Sequence, residues 1–157
     1  MHDRLPGQSQ PQGQSREFLS FWVGAQEFCM DIMAVREIRG WTPATPLPHA
    51  PGYVRGVVNL RGAVLPIIDL AERIGFGRAE PTPQHVIIVA QVGTQLVGVL
   101  VSAVSDILTV SEHAIQVTPD VASPTRAFIQ GLLTVEDRML GVLRLDNLVP
   151  AAELEAA

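Results

Sequence analysis

The chain has 157 residues, of which 47% are apolar and 17% charged, with a formal net charge of -5. That is enough apolar chain to bury a core in one domain or two small ones. The acidic balance excludes nucleic acid or an anionic membrane surface as the main partner, because both demand a basic footprint.

All eleven basic residues are arginine, which excludes a phosphate-loop lysine, a Schiff base and an amine general base. The charged fraction lies below the roughly 25% of ordinary soluble domains, which favours a surface that lies against other proteins. Cys29 is the single cysteine, so no internal disulfide and no cysteine-rich zinc site can form, and a reducing cytoplasm is the expected setting.

Residues 1–16 are rich in Gln, Gly, Pro and Ser and are expected to be a disordered tail. They hold no apolar stretch of signal-peptide type, and no run elsewhere reaches membrane-spanning length. From Glu17 the chain reads as β structure. Phe18 to Val23 is apolar on both faces, Gly24 to Gln26 turns it, and Phe28, Met30 and Ile32 follow at a spacing of two. Met33 to Val35 makes a helical turn before a strand over Arg36 to Trp41. Four prolines between Thr42 and Gly52 then forbid a ladder and predict an extended loop.

The segment Gly56 to Leu70 predicts a hairpin whose reversal is Arg61-Gly62. Pro66 cannot donate to a ladder, so the returning strand should lie at an edge or carry a bulge. Asp69 should cap a short helix, with Glu72 three residues on and Gly75 to stop it. After a Gly- and Pro-containing connector the pattern restarts: Val23 to Gln26 is echoed by Val92 to Gln95, Ala34-Val35 by Ala103-Val104, Glu37 by Asp106 and Ile38 by Ile107. Gly131-Leu132-Leu133 stands where Gly56-Val57-Val58 stood, Glu136-Asp137 replaces the Arg61-Gly62 turn, and Leu145-Asp146 ends the strand as Ile68-Asp69 does. Two copies of one β unit, each of about five short strands, favour two small barrels in tandem over a single sandwich. The expected division is 17–81 for the first barrel, 82–150 for the second and 151–157 for a short tail.

The chemistry-bearing residues form no constellation. His2, His49, His85 and His113 sit at no metal-ligand spacing, and no serine or cysteine has a histidine placed to activate it. Asp69, Asp106 and Asp146 each close a strand or turn, where capping outweighs acid–base work. Neither an enzyme nor a metal or cofactor protein is expected. Arg61 is the residue that stands out: an arginine on an apolar hairpin fits a solvated turn, an interface contact, or a partner of Glu37 that steadies the hairpin.

With the two copies laid out, the chain resembles the bacterial chemotaxis coupling protein, the CheW family. The likeness rests on the stretches Glu17 to Gly40, Gly56 to Leu70, Leu96 to Leu108 and Gly131 to Leu148, and above all on the string Asn59-Leu60-Arg61-Gly62 followed by Pro66 and Asp69-Leu70. It implies an all-β fold of two five-stranded SH3-like barrels with short helical turns, no catalysis and no cofactor. It also implies a scaffold joining the regulatory domain of the histidine kinase CheA to the cytoplasmic hairpin tip of chemoreceptors. Carried over by position, the receptor site would use Val35, Glu37, Gly56, Asn59, Arg61 and Ile107, and kinase docking is placed on Ile38, Arg39, Trp41 and Leu47. The protein would be cytoplasmic and recruited to the membrane-attached receptor array without inserting itself. A related coupling protein of a non-flagellar chemosensory pathway, or a small-molecule-binding barrel, is the competing reading. Two positions depart from the family pattern: Ala71, where many members carry arginine, and Ser102, where an acidic residue is frequent.

Overall fold

The computed structural model describes residues 15–117 and 127–148. The strands are β1 (Ser15–Val23), β2 (Gln26–Asp31), β3 (Val35–Gly40), β4 (Val54–Leu60) and β5 (Ala63–Asp69), followed by the one-turn helix α1 (Leu70–Arg73). Then come β6 (Val86–Val92), β7 (Gln95–Val101), β8 (Ala103–Ser111), β9 (Ile115–Gln116), β10 (Ile129–Val135) and β11 (Arg138–Leu143). They form a six-stranded sheet ordered β8-β1-β2-β11-β10-β9 and a five-stranded sheet ordered β3-β6-β7-β5-β4. The fold is all-β, with two SH3-like barrels.

Apart from the added edge strand β9, the two orders are the same. Substituting β6, β7, β3, β4 and β5 for β1, β2, β8, β10 and β11 turns one sheet into the other, and the parallel pair β2–β11 has its counterpart in β5–β7. Each repeat therefore keeps its first hairpin in one sheet and sends its third strand and second hairpin into the other. A cut after residue 81 separates the repeats but not the barrels, which corrects the expected division. The cause is burial: neither first hairpin can cover its two apolar faces alone, and the later strands of the other repeat supply the missing partners.

Three apolar cores follow from this arrangement. Phe21, Phe28, Met30, Ile88, Val97 and Val99 share the central core between the sheets. Phe18, Cys29, Leu108 and Leu140 fill the six-stranded barrel, and Leu65, Ile67, Ile87 and Leu100 fill the other. Adjacent residues of β1, β2, β6 and β7 thus enter different cores, which is why these strands read as unbroken apolar runs rather than alternating ones. Each such side chain, fully buried, contributes about 1.5–3 kcal/mol. Burial also pushes the Cys29 thiol up to about 12, so it is a packed core group with almost no thiolate at neutral pH.

The irregularities repeat as well. The β1–β8 register shifts next to the Ser20–Asp106 pair, and the β3–β6 register shifts between Val35 and Glu37, the positions that the sequence echo aligns. Buried Ser20 is satisfied there, its Oγ donating to the Asp106 carbonyl at 3.1 Å and accepting from the Asp106 N–H at 3.0 Å. A Cβ on Gly56 would lie 2.2 Å from the Thr45 carbonyl oxygen, and one on Gly131 would lie 2.5 Å from that of Gln116. In both repeats a passing strand closes on the second hairpin, through the Thr45–Val57 bridge in one and β9 in the other, and only glycine leaves room.

Three expectations change in detail. Ser15 and Arg16 belong to β1 rather than to a tail, since Arg16 bonds Asp31 at 2.9 Å and lies 4.8 Å from the Phe18 ring centroid. Pro66 is not on an edge strand, because β5 runs between β7 and β4. However, Val57 spends its N–H and carbonyl on Thr45, and pairing with β7 begins only at Ile67, so no ladder asks Pro66 for a donor. Leu143 rather than Leu145 matches Ile68, and Asp146 sits within the 3-10 turn Leu145–Asn147 without capping it. The tail readings for residues 1–14 and 151–157 fall outside the described residues.

Candidate functional site

Asp69 does cap α1, its Oδ1 accepting from the Glu72 N–H at 3.2 Å. It is also fully buried, and its Oδ2 accepts from Arg55 at 2.8 Å and from the Ala79 N–H at 3.0 Å. This ion pair anchors the end of β5 to β4 and to the connector, so the hairpin between them is held firmly at its base. The sequence marks the cap but not its arginine, because Arg55 belongs to the opposite strand of the hairpin.

At the other end of the hairpin, Arg61 (φ 50) and Gly62 (φ 89) form the tight reversal, and Asn59 Oδ1 accepts from the Gly62 N–H at 3.1 Å. Arg61 is 70% exposed and reaches across to β3, where its Nη2 donates to Glu37 Oε1 at 2.6 Å. Arg39 Nη1 donates to the other carboxylate oxygen at 3.2 Å. Glu37 and Arg39 lie on one face of β3, two residues apart, and share a carboxylate with the hairpin tip. The Arg61 contact joins β3 to the β4–β5 turn, and β3 and β4 are the two open edges of the five-stranded sheet. Between them runs a groove of about 370 Å³ lined by Arg39, Thr42, Val57, Asn59, Val64 and Ile87. Val64 is 69% exposed at its rim.

The hydrogen bond from Arg61, and then that from Arg39, holds the Glu37 carboxyl below its usual range. A depressed carboxylate pKa means that the contact is fully present above the ordinary glutamate value of about 4.3 and is lost as pH falls through the lower folded value. Carbon-13 titration of Glu37 should show this low midpoint, and Arg61→Ala should raise it. An unchanged midpoint in the variant would mean that the pair does not form in solution.

The residues expected at a receptor site are thus partly assembled. Glu37, Asn59 and Arg61 stand together at the hairpin tip. Val35 is half-buried against the central core, Gly56 is buried beneath Thr45, and Ile107 is an exposed residue of β8, the edge strand of the other barrel. Of the residues placed at a kinase surface, Ile38 points outward from β3 while Arg39 turns to Glu37. Trp41 packs on the five-stranded barrel's core, with the Arg55 guanidinium 5.8 Å from its ring centroid, and Leu47 is half-buried in the proline loop. Sequence reasoning missed Val64, whose exposure follows from its place next to the turn. It also missed the work of Ser102, whose Oγ accepts from the Gly24 N–H at 2.9 Å and ties the first hairpin to the β7–β8 crossover. Among the described residues, no three His, Cys, Asp or Glu side chains gather at metal-binding distance, and no helix is long and apolar enough to cross a membrane.

A family model described as the CheW-like domain matches residues 17–153. The chain belongs to the CheW family. It is 63% identical over 143 residues to the chemotaxis protein CheW of Rhizobium meliloti (strain 1021), covering 90% of this chain and 92% of that protein. It is 34% identical over 140 residues to the chemotaxis protein CheW of Klebsiella aerogenes, with 88% and 84% covered. Among solved structures, the scaffolding protein TtCheW from Thermoanaerobacter tengcongensis superposes with a TM-score of 0.81 at 28% identity, over 86% of this chain and 92% of that one. CheW membership accounts for the hairpin string on which the sequence resemblance rested, and TtCheW shares the two-barrel architecture.

Proposed function

We infer that this chain is a non-catalytic scaffold of chemotaxis signalling that couples chemoreceptors to the histidine kinase CheA, so that receptor state controls kinase activity. The observation that carries this reading is the 63% identity, across nearly the whole chain, to a chemotaxis CheW. The receptor's cytoplasmic hairpin tip meets the face bearing Arg61, Glu37 and Asn59, with Val35 and Ile107 as the apolar contribution. The regulatory domain of CheA docks on the barrel surface around Ile38, Arg39, Trp41 and Leu47. Such a scaffold works in the cytoplasm and joins the membrane-attached array through its partners rather than through any insertion of its own.

The exposed guanidinium of Arg61 supports the receptor assignment, since a charged group already held in place at a turn presents further donors at low entropic cost. Arg61→Ala should weaken binding of a receptor-tip fragment roughly 30-fold or more, the loss expected when a charge-assisted interface contact is removed. Its melting temperature should move by no more than about 2 °C, because an exposed ion pair stabilises little. Affinity for the isolated kinase domain should be unchanged. A large fall in melting temperature, with both affinities falling together, would make Arg61 a fold-supporting partner of Glu37 and overturn the assignment.

A further inference from the structure

Arg73, the last residue of α1, lies between two aromatic rings, its Cζ 4.0 Å from the centroid of Tyr53 and 4.8 Å from that of Phe128. Tyr53 leads into β4 of the five-stranded sheet and Phe128 into β10 of the six-stranded one, so a single guanidinium spans both barrels. Its Nε donates to the Leu148 carbonyl at 2.6 Å and its Nη2 to the Asn147 carbonyl at 3.3 Å. Those carbonyls lie at the end of the 3-10 turn that follows β11, where the last acceptors of a helical turn lack intrahelical donors.

The turn is tied to the start of β10 in its own right. The Arg144 N–H donates to the Phe128 carbonyl at 2.7 Å, and Asn147 Nδ2 donates to the Ala127 carbonyl at 2.7 Å. Residues 127–128 and 144–148 therefore form one small unit at the end of the six-stranded sheet. Leu148 carries that unit into the central core, fully buried with Leu70 and Ile74 of the α1 segment. A guanidinium can lie against two rings and still donate from separate nitrogens to two carbonyls in fixed directions, which the single nitrogen of an ammonium cannot reproduce.

We propose that Arg73 is an inter-barrel clasp whose release frees residues 144–148 from α1 while both sheets stay paired. Opening uncovers Tyr53, Ile74 and Leu148 at the seam without unpairing a strand and without parting the core that joins the two sheets. It is a local opening of the kind that amide exchange detects. The clasp is a property of the chain alone and does not depend on the partners inferred above.

Amide hydrogen exchange of the full chain, wild type against Arg73→Ala and Arg73→Lys, tests it. The amides to follow are those of Asn147 and Leu148, which donate to Arg144 and Leu145 within the turn whose last carbonyls Arg73 holds; the Arg144 amide, bonded to Phe128 inside the unit, is the internal reference. In both variants the Asn147 and Leu148 amides should exchange about tenfold faster or more, while the Arg144 amide and those in the β6–β7 pair keep their wild-type protection. Uniform acceleration across both sheets, no acceleration, or full restoration by lysine would each overturn the proposal. Should Arg73→Ala fail to fold, Phe128→Leu removes one face of the stack and is read in the same way: acceleration confined to Asn147 and Leu148 supports the clasp, and global or absent acceleration refutes it.

Discussion

Asp69→Ala should cost about 3–5 kcal/mol of folding stability, the usual price of removing one partner of a buried ion pair. For a chain of this size, that is a fall of roughly 6–20 °C in melting temperature. Asp69 is wholly buried, and Arg55 is buried but for 14% of its side chain, so the alanine variant strands a guanidinium that solvent reaches poorly. The same change deprives the Ala79 N–H of its acceptor and α1 of its cap. Asp69→Asn keeps the shape and one acceptor oxygen but not the charge, and should fall between wild type and alanine. Urea unfolding of the three proteins checks the order. An alanine variant as stable as wild type would show that the pair has no structural weight.

Gly56→Ala should be nearly as damaging. A Cβ there would lie 2.2 Å from the Thr45 oxygen and 2.6 Å from its carbonyl carbon, both backbone atoms that cannot swing aside. The position also has φ 137, outside the range that L side chains adopt. Overpacking and backbone strain together put the cost at about 3 kcal/mol or more. Gly62→Ala is the control: φ is 89 with open space around the Cβ, and the expected cost is only about 1 kcal/mol. If Gly56→Ala instead folds with wild-type stability and loses receptor binding alone, Gly56 is a surface contact. If it unfolds as expected, any binding defect at this position is a consequence of losing the Thr45–Val57 closure.

Most of the fold is legible in the residues, and the parts that are not share one cause. The hairpin at Arg61-Gly62, the Asp69 cap and the register of the repeat up to its last strand depend on local chemistry and appear where the sequence places them; only the end of that strand is displaced, with Leu143 rather than Leu145 matching Ile68. The exchange of strands between repeats does not, because the pairing of β2 with β11 and of β5 with β7 is decided by which apolar faces remain uncovered after the first hairpins form. A run such as Val97 to Val101 signals burial on both faces without saying whose strands provide it. The candidate site divides in the same way. The pairing of Arg61 with Glu37, twenty-four residues apart, is one of the readings the hairpin offers, whereas the second arm from Arg39 becomes visible only once the barrel brings the edges of the sheet together. The inward turn of Trp41 and the burial of Gly56 follow from packing that the proline loop gives no hint of.

A coupling scaffold must hold kinase and receptor at once, on surfaces that do not exclude each other. Size-exclusion chromatography with light scattering, on the full chain mixed with a CheA regulatory domain and a receptor hairpin-tip fragment, tests this most directly. One species containing all three components is the expected result, with the receptor fragment lost selectively from the Arg61→Ala mixture. Displacement of the kinase domain by the receptor fragment, so that only two binary complexes elute, would contradict it.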